Sequence, residues 1–377
     1  MDANATALFL RLFDGLPDPR RHNVRHVFTD ILTLAVLGIM CRADDWTDVV
    51  AWATASLPWL KTFLALPHGI PCEDTFGRVF ARINPAAFEA CFIRWTKDLA
   101  QATQGRLVAI DGKSLRRSFE HGWDKSSMTH VVSAWCGENQ LVLGQLAVEG
   151  KSNEITAIPA LLDLLELKGA VVTIDAMGCQ REIARKIVDA KADYVLAVKD
   201  NQGTLYDKTR KLLDEAVLEK FAGMSHDACE QTNAGHGRIE TRRVWVSDEV
   251  KWLGEELLAL WPELSSLVRV DSVRVLDGKT VLHSRYFISS LKGCDAPRMG
   301  RTVRGHWGIE NGLHWRIDTC FGEDQSRLRV GFGAQNFSRL RRIVINQLRT
   351  APDKHSLKTR RYLCSIDRQY LLDRLKQ

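Results

Sequence analysis

The sequence predicts an α/β fold, with a small helical N-terminal domain followed by a larger domain in which helices flank a mixed β-sheet. Three observations lead to this prediction. Residues 1–100 repeat apolar side chains at a spacing near 3.6, β-type and helical runs alternate after about residue 105, and residues 204–296 form a strand-rich block. We expect this block to be an insertion into an α/β domain spanning 101–350, with 351–377 as a basic C-terminal tail.

Length and composition are typical of a globular protein without a membrane segment. The 377 residues exceed the usual size of one domain, and hydrophobic residues make up 45% of them. Charged residues interrupt the apolar N-terminal runs before the ~20 residues needed to cross a bilayer, and no secretory signal opens the chain, so we expect a cytoplasmic protein. Nine cysteines without a CxxC spacing predict buried thiols instead of a zinc site or a disulfide framework.

Helices are predicted throughout the N-terminal region. The first should begin with Thr29 as its N-cap, a second contains Trp46, and a third follows Pro71 in the stretch CEDTFGRVFARI. Arg78 and Arg82 are four residues apart, so they should share one face of the third helix as candidate DNA contacts. Two interpretations stay open for this region, a small DNA-binding domain and a dimerisation or packing domain.

The α/β part is predicted as five strands and two helices in the order β-β-β-α-β-α-β. These elements span 107–110, 130–135, 141–148, 154–167, 170–174, 181–192 and 193–198. Further strands are predicted in the inserted block at 241–246, 267–275 and 281–289, and a helical pattern resumes at Arg301.

Two of the predicted strands end on an aspartate. In LVAIDGK the strand ends at Asp111 and in VVTIDAM at Asp175, and each aspartate is followed by a small residue that leaves its carboxylate uncrowded. If the strands are parallel neighbours, both carboxylates emerge where open α/β sheets hold ligands. Adjacent carboxylates repel each other, and proteins usually offset this repulsion by binding a divalent cation between them. Taken alone, each aspartate is also typical of a turn or a cap.

A third acidic residue, Glu310, lies in RGHWGIENGLHWRID, residues 304–318, whose spacing predicts a helix. Four polar residues at intervals of four should line one face of it: His306, Glu310, His314 and Asp318. Trp307 and Ile309 should turn inward. Gly308 and Gly312 each weaken a helix by ~1 kcal/mol, which indicates close packing or ligand approach. The alternatives are a polar helix surface and a His/His/Glu zinc site, although no HExxH spacing is present.

The three acids together indicate metal-dependent chemistry on nucleic acid. Acids from separate segments, without a nucleotide-binding loop, are typical of two-metal phosphoryl transfer, in which cations about 4 Å apart activate the attacking oxygen and stabilise the leaving one. Carboxylate oxygens favour Mg²⁺ or Mn²⁺ over zinc. Residues 325–361 hold ten Lys or Arg against one acid, a net charge of +9, which is typical of a polyanion-binding segment and also of ordinary solvated surface.

At these residues the chain resembles the DDE transposases of bacterial insertion sequences, and most closely the H-repeat-associated proteins found with Rhs elements. The likeness covers nearly the whole chain. It is carried by the segments HVFTDILTLAVLGIM, PCEDTFGRVFARI, AIDGKSLRRS, EGKSNEITAIPALLDLLELKGAVVTIDAMGCQREIA, DYVLAVKDNQGTL, HGRIETR and HWGIENGLHWRID.

This resemblance implies a ribonuclease H-like catalytic domain with the β-rich block as its insertion. It implies that Asp111, Asp175 and Glu310 are the catalytic, metal-binding triad, holding two Mg²⁺ or Mn²⁺ ions. It also implies double-stranded DNA as the partner, both the terminal repeats of the element and its target, and a homo-oligomer assembled on that DNA.

The chain departs from the broader transposase family in the basic residues around the glutamate. That family has a Tyr seven and an Arg four residues before the Glu and a Lys seven after it, whereas these positions here hold Val303, His306 and Ile317. The candidates that replace those DNA contacts are Arg301, Arg304, His306, His314 and Arg316. Further candidates follow the strands of the expected site: Lys113, Arg116, Arg117, Lys199, Asn201 and Gln202. Ordinary solvated loops have the same composition, so that alternative stays open.

The function predicted from the sequence is DNA transposition. It comprises recognition of an element's terminal repeats, hydrolytic nicking at its ends, and attack of the freed 3′ hydroxyl on target DNA. Two rival functions remain, a catalytically silent DNA-binding relic of a transposase and a metal-dependent nuclease without strand transfer.

Overall fold

Nine β-strands form one mixed sheet in the computed structural model, which describes residues 11–21, 24–100, 106–119, 128–148, 154–235, 238–276 and 279–375. The strands are β1 (Leu107–Ser114), β2 (His130–Cys136), β3 (Leu141–Val148), β4 (Val171–Ile174), β5 (Asp193–Val198), β6 (His226–Gly235), β7 (Arg238–Ser247), β8 (Ser266–Leu276) and β9 (Lys279–Ser289). Their order across the sheet is β3-β2-β1-β4-β5-β9-β8-β7-β6. The pairs β1–β4 and β4–β5 are parallel, and the other neighbouring pairs are antiparallel.

Helices cover both faces of this sheet. They are α1 (Phe28–Met40), α2 (Trp46–Ala55), α3 (Leu57–Leu60), α4 (Glu73–Phe80), α5 (Pro85–Ala100), α6 (Glu154–Leu164), α7 (Arg181–Asp189), α8 (Gly203–Leu218), α9 (Glu255–Leu260), α10 (Ala296–His306), α11 (Trp315–Phe321), α12 (Gly333–Arg349), α13 (Leu357–Ile366) and α14 (Arg368–Leu375). A π-helical turn, Glu310–His314, lies between α10 and α11. None of the helices in the described ranges is both long and apolar enough to cross a membrane.

The alternation of side chains along β1 gives each face of the sheet its own core. Val108 and Ile110 are fully buried in a cluster that includes side chains from α6, α7 and α8. Ala109 lies between them in the chain and belongs to a second cluster, with side chains from α1, α5 and α12. Successive side chains of a strand point to opposite faces, so the sheet separates these two cores. A third, smaller cluster joins the outer strands to α10.

The N-terminal helices share their core with α12. The ring of Trp46 in α2 stacks on Phe80 at the end of α4, with centroids 4.7 Å apart. The same ring meets Phe337 of α12 edge-on at 4.6 Å. Stacked and edge-on pairs at these distances are the favourable aromatic geometries. The N-terminal helices therefore pack directly on the C-terminal part of the chain.

Helix α12 carries three arginines that are almost fully buried, Arg339, Arg341 and Arg342. Arg339 Nε donates to Glu89 Oε2 at 2.6 Å, and Arg342 Nη1 donates to Glu323 Oε1 at 3.0 Å. Burial alone would raise the pKa of Glu323, but the guanidinium groups of Arg342 and Arg341 hold it below its usual value. Each buried carboxylate thus compensates a buried cation that would otherwise be very costly.

The burial of these arginines corrects the interpretation of residues 325–361 as a DNA-contacting segment. Arg360 Nη1 donates to Leu348 O at 2.6 Å and Arg361 Nε to Ile39 O at 3.0 Å, and both side chains are buried. Most of the arginines in this segment therefore join helices to one another and are not free to meet phosphates. Residues 357–375, within the expected basic tail, form α13 and α14 and add apolar side chains to the core shared with the N-terminal helices. Composition alone does not distinguish a buried arginine from an exposed one.

The mixed α/β fold is confirmed, while two boundaries in the N-terminal region differ from the prediction. Helix α1 follows Val27 at its cap position, so the predicted cap Thr29 lies inside the first turn. Helix α4 ends at Phe80, because the chain then turns toward α5. Arg82 consequently lies beyond the helix and does not share a helical face with Arg78.

The strand-rich block continues the main sheet. Strands β7, β8 and β9 match the three predicted there, and β9 pairs with β5, with Ser289 opposite Val195. Strand β6 was not predicted because its sequence, HDACEQTNAG, is polar, as suits an exposed edge strand. Helix α10 begins at Ala296 instead of Arg301, since the Asp295 carboxylate caps it by accepting from the Arg298 N–H at 2.8 Å.

We predict that Glu89→Ala destabilises the protein by about 3–5 kcal/mol, because it leaves the Arg339 charge buried without its carboxylate. Urea unfolding followed by far-UV circular dichroism measures the change. Asp163→Ala is the control, since it removes a carboxylate from an exposed pair with Lys186 and should cost under about 1 kcal/mol. Equal losses in the two variants would contradict a structural role for the buried pair.

Candidate active site

A cavity of about 220 Å³ opens at the carboxyl ends of β4 and β5 and brings the three predicted acids together. Its wall includes Asp111, Asp175 and Glu310. The parallel register explains the first two, because Ile110 of β1 pairs with Ile174 of β4 and an aspartate follows each of them. We call this space the acidic cavity. Its other lining residues include Thr173, Lys199, Arg285, Val303, His306 and Trp307.

Asp111 lies within β1, not after it. The strand continues to Ser114 because it stays paired with β2 after its pairing with β4 has ended. The Asp111 side chain is 17% exposed, and its Oδ2 lies 3.4 Å from His314 Nε2. Burial raises the pKa of Asp111, but the His314 imidazole beside it and the nearby His306 lower it more, so the net shift is downward. Asp111 therefore stays ionised at neutral pH.

Asp175 is held by the turn that follows β4. Its Oδ1 accepts hydrogen bonds from the Met177 N–H at 3.0 Å and the Gly178 N–H at 3.2 Å. Asn201 Nδ2 donates to Ala176 O at 2.7 Å, and Gln202 Nε2 donates to Cys179 O at 3.0 Å. The two amides, predicted as DNA contacts, thus brace the loop that carries Asp175.

Glu310 begins the π-helical turn between α10 and α11. The Trp315 N–H donates to Glu310 O, five residues back, which defines a π-helical bond. A Cβ at Gly312 would lie 2.7 Å from Trp135 Cζ2, so the close packing predicted for this glycine is confirmed. Ile309 is buried as predicted, but Trp307 is 49% exposed, and its predicted inward orientation is wrong.

The other polar residues of the predicted helical face contact the same end of the sheet. His306 Nδ1 lies 3.1 Å from Thr173 Oγ1 in β4, and Asp318 Oδ2 accepts from Lys113 Nζ at 2.7 Å. Burial lowers the pKa of His306, and the charges of Asp111 and Asp175 offset part of that shift. His306 is consequently neutral at pH 7. Lys113, another predicted DNA contact, is engaged in an intramolecular ion pair.

A fourth carboxylate, Glu154, lies beside the acidic cavity and was missed from the sequence. A Cβ at Gly112 would lie 2.0 Å from Glu154 Oε1, so Glu154 lies against the backbone next to Asp111. Burial and the charges of Asp111 and Asp175 raise the pKa of Glu154 to about 7. The available signal was an acid at the start of a helix that follows three strands, in EGKSNEIT. That pattern also describes an ordinary first-turn acid, which explains the omission.

The remaining predicted DNA contacts lie at several places. Lys199 is exposed and lines the acidic cavity, while Arg304 is exposed and lines a neighbouring cleft. Arg116 is 75% exposed and pairs with Asp324 at 3.2 Å. Arg78 and Arg82 are exposed but do not line the acidic cavity.

The acids line one cavity without forming a finished chelate. In the part of the chain that the structure describes, no three His, Cys, Asp or Glu side chains are grouped so that they could hold one ion as they stand. This holds for the His/His/Glu arrangement considered for zinc as well as for the three acids. Cation binding by the three acids would therefore require their side chains to move toward one another.

Family comparison gives two adjacent matches along the chain. Residues 10–96 match a family described as "DDE_Tnp_1-associated", and residues 102–347 match the "Transposase DDE domain". The second match alone covers more than half of the chain.

Relatives that match over nearly the whole of both chains occur in Escherichia coli. The chain is 39% identical over 366 residues to "Putative transposase YncI" of strain O157:H7, covering 94% of this chain and 91% of that protein. It is 36% identical over 365 residues to "H repeat-associated putative transposase YhhI" of strain K12, covering 94% of each.

Among solved structures, a cryo-electron microscopy structure of the piggyBac transposase synaptic complex with hairpin DNA aligns with 99% of this chain and 82% of its own, at 12% identity and a TM-score of 0.44. The chain belongs to the DDE transposase family and is related there to the H repeat-associated transposases.

Proposed function

We propose that this protein catalyses metal-dependent DNA cleavage and strand transfer at the ends of an insertion sequence, that is, DNA transposition. The observation that carries the proposal is the convergence of Asp111, Asp175 and Glu310 on one cavity. They come from β1, the end of β4 and the turn after α10, which are far apart in sequence. Family membership supports the same chemistry.

We further infer that β1 to β5 form a ribonuclease H-like catalytic core. Three antiparallel strands followed by two parallel ones, in the order β3-β2-β1-β4-β5, support this inference. The helices α6 and α7 provide the crossovers that parallel strands require. In this proposal, β6 to β9 are the insertion, attached at the edge of the core through β9.

The donor set fits a hard divalent cation such as Mg²⁺ or Mn²⁺. Asp111, Asp175 and Glu310 offer carboxylate oxygens, which these ions prefer. The raised pKa of Glu154 supports the fit, because part of its cause is the negative charge of Asp111 and Asp175, which a cation would offset. When bound, two such ions supply activation of the attacking oxygen and stabilisation of the leaving one.

Each side chain has a distinct part in this proposal. Asp111 and Asp175 would share one cation, and Glu310 would hold the second. His314 would orient Asp111 through its Nε2 contact, and Asn201 and Gln202 would hold the Asp175 loop in place. Lys199, exposed on the cavity wall, would bind the phosphate that undergoes cleavage.

Double-stranded DNA is the proposed partner, bound as the element's terminal repeats and as target by a homo-oligomer. Lys199 and Arg304 are the strongest candidate contacts because both are exposed, Lys199 on the acidic cavity and Arg304 on the neighbouring cleft. Arg78, Arg82 and Arg116 remain candidates for contacts further from the cavity. A DNA-binding relic and a nuclease without strand transfer are the outcomes that a cleavage assay must separate from transposition.

Glu310→Gln is expected to lower cleavage by several orders of magnitude while leaving folding and DNA binding intact. Glutamine keeps the size of the side chain and removes the charge that would hold a cation. The substrate is a DNA fragment carrying the inverted repeats that flank the gene, incubated with Mg²⁺ or Mn²⁺. Nicked and joined products are scored separately on a denaturing gel.

The matched control is Asp207→Asn, which neutralises an exposed acid on α8 that does not line the cavity. It should cut like the wild type. A wild type that binds the ends but never cuts them would favour the relic, and one that nicks without joining would favour the nuclease. Equal cutting by wild type and Glu310→Gln would remove Glu310 from the mechanism.

Glu154→Gln is expected to raise the melting temperature at pH 8 and to leave it unchanged at pH 4. The folded protein keeps a proton on Glu154 up to about pH 7, whereas the unfolded chain releases it near the ordinary value of 4.5. This carboxyl group therefore lowers the stability of the wild type as pH rises from about 4.5 to 7, and the amide removes that loss. Differential scanning fluorimetry across this range, without divalent metal, measures the difference. A gain that is the same at both pH values would show that ionisation of the buried Glu154 carboxyl group is not its cause.

A further inference from the structure

The π-helical turn that begins with Glu310 lies against the indole ring of Trp135. This side chain of β2 is fully buried, and it meets the backbone two residues before and two residues after Glu310. A Cβ at Gly308 would lie 3.6 Å from Trp135 Nε1, and one at Gly312 would lie 2.7 Å from Cζ2. The ring therefore supports the chain on both sides of the third acid, and at Gly312 it leaves no room for a side chain.

Arg349, the last residue of α12, joins this ring to the turn. Its guanidinium carbon lies 4.3 Å from the Trp135 ring centroid, a distance at which a cation is attracted to an aromatic face. Its Nη2 donates to the carbonyl of Gly312 within the turn, and its Nη1 donates to the carbonyl of Gln140, just before β3. One planar guanidinium thus contacts the ring, the turn and the sheet.

The charge of Arg349 is balanced differently from that of the buried arginines earlier in α12. Arg339 and Arg342 each pair with a carboxylate, whereas no carboxylate among the described residues pairs with Arg349. Burial and the charges of Arg316 and Arg360 lower the pKa of Arg349 to about 9. A cation in such surroundings is costly, and here its compensation comes from two carbonyl oxygens and a ring. Those contacts are therefore what a cation at this position provides.

We propose that Arg349 and Trp135 are positioning residues, which hold the π-helical turn, and with it the Glu310 carboxylate, at the acidic cavity. The inference rests on the proposed function, in which Glu310 holds a cation. Wide turns of this kind are rare, and the bond to Gly312 O together with the ring beside it favours this one. Without these contacts the turn would open more often, and Glu310 would spend less time at the cavity.

Hydrogen exchange tests this role without metal or DNA. Arg349→Met keeps a long side chain beside the ring and removes both donors to the carbonyls. Mass spectrometry of peptides covering residues 306–316 should show exchange that is faster by about 10-fold or more, as expected for loss of a hydrogen bond from a charged donor. Arg349→Lys should show nearly the same increase, because an ammonium lacks the planar fork that reaches two carbonyls.

Calorimetric titration with Mn²⁺ alone tests whether Arg349 acts through Glu310. Arg349→Met should weaken Mn²⁺ binding about 10-fold or more, the size expected when a residue that orients a metal ligand is lost. In a Glu310→Gln background the same change should have no further effect on Mn²⁺ affinity, since the carboxylate that Arg349 positions is gone. A residue that only stabilises the fold would not show this difference between the two backgrounds.

Two glycines of the segment give an independent test of the ring. Gly312→Ala places a methyl group against Trp135 and should reproduce both effects of Arg349→Met. Gly308→Ala is the matched control, because its Cβ meets the ring at an ordinary contact distance, and it should bind Mn²⁺ as the wild type does. Arg374→Met controls for the loss of a buried arginine, since it removes one that lies over another ring and does not line the acidic cavity. Melting temperatures show whether each variant is folded.

Three results would overturn the inference. They are wild-type exchange and Mn²⁺ affinity in Arg349→Met, wild-type behaviour of Arg349→Lys, and an equal loss of affinity in the Glu310→Gln background. A protein that shows the predicted differences but never cuts DNA would overturn the proposed function and leave the positioning role in place. A wild type that takes up no Mn²⁺ would also overturn the proposed function, and the exchange comparison would then decide the inference.

Discussion

The parallel pairing of β1 with β4 is the constraint on which the site depends. Ile110 lies opposite Ile174, so Asp111 and Asp175, 64 residues apart in the chain, follow at the same level of the sheet. A shift of one residue would turn one aspartate to the opposite face, since side chains alternate along a strand. The register is fixed by buried side chains on both faces, with Val108 and Ile110 in one core and Ala109 in the other. The buried central strands therefore position the two aspartates before any ligand binds.

Helix α12 connects this sheet to the N-terminal helices. Arg339 pairs with Glu89 of α5, whose Oε1 also accepts the Gln145 N–H of β3 at 2.7 Å. Asn346 exchanges two hydrogen bonds with the backbone of Val142 in the same strand. Polar contacts of this kind tolerate little displacement, because each unmatched partner would be left buried. The N-terminal helices and the sheet are accordingly held in one fixed relationship.

Much of this arrangement follows from sequence, and the exceptions have physical causes. Short, nearly continuous apolar runs predicted β1 to β5 because both faces of these strands are buried, and the small residue after Asp111 and Asp175 marked the site. Strand β6 has no such pattern, since its side chains face solvent at the sheet edge. The buried arginines of α12 resemble surface charge in the sequence, because nothing there links them to their partners. Glu89 is far from Arg339 along the chain, and Glu323 lies in a separate segment before α12. Glu154 was missed because its proximity to Asp111 cannot be read from the sequence. That proximity depends on Gly112, where a side chain would collide with the Glu154 carboxylate.

The π-helical turn lets the segment from α10 to α11 hold one residue more than an unbroken α-helix of the same reach. A residue added to an α-helix can be absorbed locally as one wide turn, so that the helix beyond it keeps its direction and the faces it presents. Loss of one residue between Glu310 and His314 would therefore remove the wide turn and leave Asp318 facing Lys113 and His306 facing β4. Loss of one residue within α11, which has no wide turn to absorb it, would instead rotate the residues after it by about 100°. The extra residue thus lies at Glu310 itself, where it changes the path of the backbone at the acid without moving the two contacts that anchor the segment to the sheet.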